Sequence, residues 1–154
     1  MDQVITCFKM KFPENLSETH FIQLKLKRGN KVLTANFYWR GNSYQNYNAL
    51  STLKSVNLKG SAKQSNVGNT RFYKVNITNP TADVALMIRF KVLKNISNDR
   101  VLPTYYSDNY FSLLPNESKE LTVEFDSKYL NGEKPKIMVE GWNITPFEVE
   151  ATSK

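Results

Sequence analysis

One cysteine, Cys7, and one histidine, His20, stand in a chain of 154 residues. A single cysteine excludes an internal disulfide framework. Together the two exclude a His/Cys zinc cage made by one chain. A Ser-His-Asp triad would have to recruit His20, which lies in a strand-like stretch without a supporting motif. Glycine totals 6, and no Gly-rich phosphate loop is formed from it. No apolar run approaches the roughly 20 residues of a membrane-spanning helix. The opening MDQVITCFKMKF carries acid and lysine where a signal peptide would be apolar, so no export signal is read there. Arginine is scarce as well, 5 against 16 lysines, in a chain of net charge +7. That charge is spread along the chain without Arg-rich clusters or RNA-module signatures. It reads as a solvated basic face, and neither a nucleic-acid nor a membrane partner is expected. No metal and no cofactor is expected either.

What is present points to β structure. Val, Ile, Thr, Phe, Tyr and Trp together number 48, whereas alanine, the best helix former, numbers 6. The 17 asparagines suit a chain of many turns. Val4 to Phe12 alternates with Val4, Thr6, Phe8, Met10 and Phe12 on one face, and Pro13 ends it. Phe21 to Arg28 places Ile22, Leu24 and Leu26 against Gln23, Lys25 and Lys27. Gly29-Asn30 and the stretch Lys31 to Trp39 complete a hairpin signal. Arg40 to Asn48 is polar and reads as a linker or crossover, with a short helical turn over Tyr47 to Leu53. Further strand-like stretches are Lys54 to Lys63, Arg71 to Thr78, Val84 to Leu93, Leu121 to Phe125 and Lys136 to Trp142. In Val84 to Leu93, the apolar face is Val84, Leu86, Ile88, Phe90 and Val92. Short strands separated by turns favour an antiparallel β-sandwich over a parallel sheet.

Val101 to Leu114 is aromatic, polar and turn-containing at once. Tyr105, Tyr106, Tyr110 and Phe111 surround Ser107, Asp108 and Asn109, between Pro103 and Pro115. A sandwich corner would bury these rings and use Asp108 and Asn109 to form a turn. The alternative is an aromatic surface that meets a sugar or another domain, with Tyr105, Tyr106, Asp108 and Asn109 as its candidate contact residues. Glu117, Glu120 and Glu124 sit in a turn and on the polar face of a strand, where carboxylates are solvated.

Three segments, NFYW (Asn36 to Trp39), VLPTYYSDNYFSLLPNESKELTVEF (Val101 to Phe125) and VEGWN (Val139 to Asn143), together resemble the C-terminal part of family two glycoside hydrolases. The branch they resemble is that of the exo-β-D-glucosaminidases and β-mannosidases. The resemblance covers about Phe21 to Asn143, and the SDNYF-to-LLP stretch is its most specific element. It implies an all-β fold: an immunoglobulin-like antiparallel sandwich preceded by strands of an adjacent sandwich domain. It implies residues 1–40 as those last strands, 41–148 as the terminal domain and 149–154 as a tail. Asn116 stands where related segments have glycine, and Asn tolerates the left-handed backbone such a turn requires.

The implied parent hydrolyses β-linked glycosides with two glutamates on a (β/α)₈ barrel, and a periplasmic or secreted parent is expected. Such a barrel needs roughly 250 residues, and no barrel segment matches here, so no catalytic residue is carried over. The expected partners are the other domains of the parent, with carbohydrate as a second candidate. An independent carbohydrate-binding module remains open, with Trp39, Tyr105, Tyr106 and Trp142 as aromatic contacts. So does a structural or adhesion sandwich. Core or interdomain packing is the plainer role for the two tryptophans, since both end alternating strands.

Overall fold

The computed structural model describes residues 3–41 and 47–153. The chain forms two units, Met1–Leu53 and Lys54–Lys154. The expected boundary at residue 40 falls inside the first.

The first unit is built on a hairpin of β1 (Thr19–Arg28) and β2 (Lys31–Gly41), antiparallel and joined by Gly29-Asn30. Gly29 sits at φ 57°, the left-handed backbone that a two-residue hairpin loop demands. On one face Phe21 stacks on Phe37 at 5.5 Å and meets Trp39 edge-on at 6.5 Å. On the other face Leu24, Leu26 and Tyr38 are exposed, and Val32 and Leu33 near the turn are exposed too. The expected strand Val4 to Phe12 is not one: no ladder forms there, and Val4, Ile5, Phe8, Met10 and Phe12 are exposed. Alternation supplies a face, but a strand also needs a neighbour for its backbone groups. The linker stretch Arg40 to Asn48 includes residues 42–46, which lie outside the described residues. A 3₁₀ turn, Asn48–Thr52, follows it. Ser51 and Thr52 hydroxyls donate back to the carbonyls of Asn48 and Ala49 at 2.7 and 2.9 Å.

The second unit is a two-sheet sandwich. Its strands are β3 (Lys59–Val67), β4 (Thr70–Thr78), β5 (Ala85–Lys94), β6 (Tyr105–Tyr106), β7 (Phe111–Leu113), β8 (Ser118–Asp126), β9 (Pro135–Gly141), β10 (Ile144–Val149) and β11 (Ala151–Ser153). One sheet runs β11-β3-β4-β8-β6 and the other β10-β9-β5-β7. Among the ladders between these strands all are antiparallel except β11 with β3, so the expected tail over 149–154 contributes an edge strand. The core takes the alternate residues of the central strands. Tyr73, Val75 and Ile77 of β4 and Leu121, Val123 and Phe125 of β8 face Ile88, Phe90 and Val92 of β5 and Ile137 and Val139 of β9. Each such side chain contributes about 1.5–3 kcal/mol by leaving water, and this is what makes the period-two pattern specify one register.

The pattern in β5 has a break. Ala85, not Leu86, joins the cluster with Ile88. The register against β7 shifts between Ala85 and Ile88, and Met87 within the shift has φ 54°. A bulge of one residue moves the face by one position. Leu86 is buried outside the main cluster.

Candidate functional site

The segment after β6 carries the chain from one sheet to the other. β6 pairs with β8, and β7 pairs with β5. Between them the side chains perform backbone duties. The β5–β7 ladder pairs Ile88 with Phe111, and the next position would pair Phe90 with Asn109. There the Asn109 carboxamide takes the place of strand backbone: its Oδ1 accepts from the Phe90 N–H at 2.8 Å, and its Nδ2 donates to the Phe90 carbonyl at 3.2 Å. The Tyr106 hydroxyl accepts from the Val92 N–H at 3.2 Å. Burial of that hydroxyl pushes its pKa above the ordinary tyrosine value. Asp108 accepts from the Asn109 N–H at 2.8 Å and pairs with Lys119. The Ser107 hydroxyl accepts from the Thr122 N–H at 2.9 Å, tying the turn to β8. Of the four candidate contact residues, Tyr106, Asp108 and Asn109 thus spend polar groups within the unit, and Tyr105 is exposed.

Two further asparagines do the same at the other strand breaks. Asn143 is buried; its Oδ1 accepts from the Leu86 N–H at 2.9 Å, and its Nδ2 donates to the carbonyls of Lys54 and Val84 at 2.9 and 2.8 Å. Asn79 is buried, donates toward the carbonyls of Asp83, Leu113 and Leu114, and accepts from Thr81. Buried amides are tolerated only when satisfied in this way. The ITNP, SDNYF and GWN segments are therefore clasps that close the sandwich where its ladders stop. Asn116 adopts φ 60°. Of the neighbouring glutamates, Glu117 accepts from the Leu114 N–H at 2.9 Å, and Glu120 pairs with Lys74 at 2.9 Å on the surface.

A cleft of about 350 Å³ opens on the outer face of the β10-β9-β5-β7 sheet. Arg89 of β5 and Glu140 of β9 stand directly opposite each other in its floor and form an ion pair. Lys91 reaches the other oxygen of the same carboxylate at 2.6 Å. Burial, and then the positive charges of Arg89 and Arg100, hold the Lys91 ammonium below the usual lysine pKa. Tyr110 and Trp142 line the cleft and are 57% and 56% exposed. The Arg89 guanidinium lies over the Tyr110 ring, 5.9 Å from its centre. Trp142 was a candidate in the sequence; Tyr110, Arg89 and Glu140 were not. Arg89 alternates with the apolar residues Ile88 and Phe90 in the sequence, and pairing it with Glu140 requires the β5–β9 register. Trp39, the other candidate tryptophan, is half-buried against Phe21 and Tyr47. Among the described residues no group of His, Cys, Asp or Glu is arranged to hold a metal ion.

Comparison with known proteins places this arrangement. The family model described as "Exo-beta-D-glucosaminidase Ig-fold domain" matches residues 36–144. An exo-β-D-glucosaminidase of Arthroderma benhamiae is 28% identical over 146 residues, 82% of this chain and 16% of that protein. A mannosylglycoprotein endo-β-mannosidase of Lilium longiflorum is 33% identical over 86 residues, 52% of this chain and 9% of that protein. The crystal structure of an exo-chitosanase from Amycolatopsis orientalis superposes with a TM-score of 0.78 at 22% identity, over 90% of this chain and 19% of that one. The chain spans less than a fifth of the length of these relatives.

Proposed function

The chain belongs to the exo-β-D-glucosaminidase Ig-fold domain family, and from that premise we propose that it is a non-catalytic β-sandwich portion of a family two glycoside hydrolase, packing against and supporting a catalytic barrel. The parent would act on β-linked glycosides of the glucosaminide or mannoside type. The observation that carries this reading is the family match across the sandwich, in a chain covering 16% of its glucosaminidase relative. The hairpin supports it. A two-stranded sheet is marginal alone, and β1–β2 exposes Leu24, Leu26, Val32, Leu33 and Tyr38, a surface suited to a further layer of protein.

In this reading residues 1–40 are the last strands of a preceding sandwich and residues 41–148 are the terminal domain. Of the four candidate contact residues, Tyr105 is the one assigned to an interdomain contact, because its ring stays outside while Tyr106, Asp108 and Asn109 are engaged within the unit. The test is direct. Purified chain incubated with aryl β-glucosaminide and aryl β-mannoside should give no turnover. Turnover that persists through purification and is abolished by a point substitution in this chain would overturn the reading.

A further inference from the structure

The outer-face cleft has features that support of a barrel does not require. The backbone that carries its two exposed rings is closely anchored. Trp142 lies between Gly141 and Asn143. A side chain at Gly141 would place its first carbon 2.9 Å from the Leu86 carbonyl oxygen and closer still to Ile144 Cδ1, so the backbone is pressed against β5 there. The Trp142 N–H donates to that same Leu86 carbonyl at 2.9 Å, and Asn143 is the buried clasp. Tyr110 directly follows the Asn109 clasp and sits at φ 60°, a conformation costly for a bulky side chain. Strain of this kind persists where the surroundings impose it, and it marks positions whose side chain is aimed. Each exposed ring is thus presented by a neighbouring asparagine anchored within the unit.

Beside the rings the lining is polar and charged. Arg89 and Lys91 both converge on Glu140, the one carboxylate among the described residues lining the cleft. Two cations, Arg89 in the lining and Lys91 beside it, against the one carboxylate of Glu140 leave an excess of positive charge, which an anion would neutralise and a cation would aggravate. The cleft, of about 350 Å³, is an open depression and not an enclosed cavity, a form that receives one face of a sugar ring. Aromatic rings offer apolar faces to the C–H faces of sugars, and a side chain with two χ angles loses little entropy on binding.

We propose that this cleft, lined by Trp142, Tyr110, Arg89 and Glu140 with Lys91 beside it, is a binding site for an acidic saccharide, with a sugar ring on the aromatic faces and its carboxylate directed to Arg89 and Lys91. The site is separate from the proposed supporting role and does not depend on it.

The experiment titrates the full chain, with Trp39→Phe introduced so that Trp142 gives the sole indole signal, using tri-galacturonate, cellotriose, a glucosamine trimer and hexaglutamate. Tri-galacturonate should shift the Trp142 indole resonance saturably, cellotriose more weakly, and the glucosamine trimer not at all. Trp142→Ala should weaken tri-galacturonate binding by about tenfold, the order of one aromatic contact. Trp142→Phe should recover part of it, and Arg89→Gln should remove the preference for tri-galacturonate over cellotriose. Thermal melting of each variant checks that it is folded; Trp142→Phe keeps the question open to test if the alanine variant is not. No saturable shift with tri-galacturonate would overturn the proposal. So would preferred binding of the glucosamine trimer, or hexaglutamate binding as tightly as tri-galacturonate, which would make the surface a docking face for acidic protein.

Discussion

The hairpin of the first unit and the sandwich of the second are written in the same alphabet, yet they treat their apolar residues in opposite ways. In the sandwich, Ile77, Ile88, Phe90 and Val123 are completely removed from water. In the hairpin, Leu26 remains 60% exposed although it alternates with lysines as regularly as any strand residue. Alternation states which face is apolar; it does not supply the layer that covers it. The sandwich has a second sheet for that purpose. It also has three asparagines that close its ladders where strands end, whereas the hairpin rests on one turn and a small aromatic group.

The largest test of this difference separates the units. Residues 54–154 alone should melt as one cooperative transition, because their core and their asparagine clasps lie wholly within that span. Residues 1–53 alone should show no cooperative melt, as expected of an isolated two-stranded sheet. Circular dichroism of the two pieces decides it. A cooperative transition in 1–53, or an unfolded 54–154, would break the comparison.

A finer test sets a polar residue of the sandwich against an apolar one of the hairpin. Asn143→Ala orphans the Leu86 N–H and the carbonyls of Lys54 and Val84. An unsatisfied buried group costs about 1–3 kcal/mol, so with some relaxation the loss should be about 2–4 kcal/mol. Leu26→Ala on the exposed face should cost less than about 0.5 kcal/mol. Urea unfolding of the full chain measures both. If the leucine proves costlier than the asparagine, the hairpin has a covered face and the contrast fails.

Much of the sandwich was legible in the sequence because its core follows the strict period of two. Gly29-Asn30 announced its hairpin, and the observed loop has the left-handed glycine that the dipeptide implies. The same dipeptide at Gly68-Asn69 joins β3 to β4, but the polar run Gln64 to Asn66 concealed the strand leading into it. The phase change in β5 was not legible, since nothing in ALMIRF marks Met87 as a bulge. Val4 to Phe12 misled for the reason already apparent: its alternation has no partner strand. The aromatic corner was legible as a special place. That Asn109 serves as a substitute for strand backbone depends on a pairing 19 residues away in sequence, which no local pattern encodes. The cleft was less legible still, because Arg89 and Glu140 meet only through the β5–β9 register.

The smallest effect concerns acid sensitivity within the sandwich. Glu133 Oε2 accepts from the N–H groups of Ser97 and Ile96 at 3.0 and 2.8 Å, and these bonds hold its carboxyl below the usual glutamate pKa. A carboxyl depressed in the folded state contributes stability that is fully present above its unfolded pKa, about 4.3, and is lost as pH falls through the lower folded value. Glu133→Gln keeps an acceptor but removes the charge. Wild type should therefore melt above the variant at pH 7, and the two should converge as pH drops from about 4.5 through the folded value. The group is exposed, so salt should narrow the gap at pH 7. Melting curves from pH 7 to pH 2.5 test the sign. A gap that stays constant across that range would show that the loop at Ile96–Ser97 is held by shape rather than by the carboxylate, and that the sandwich's clasps act through neutral amides alone.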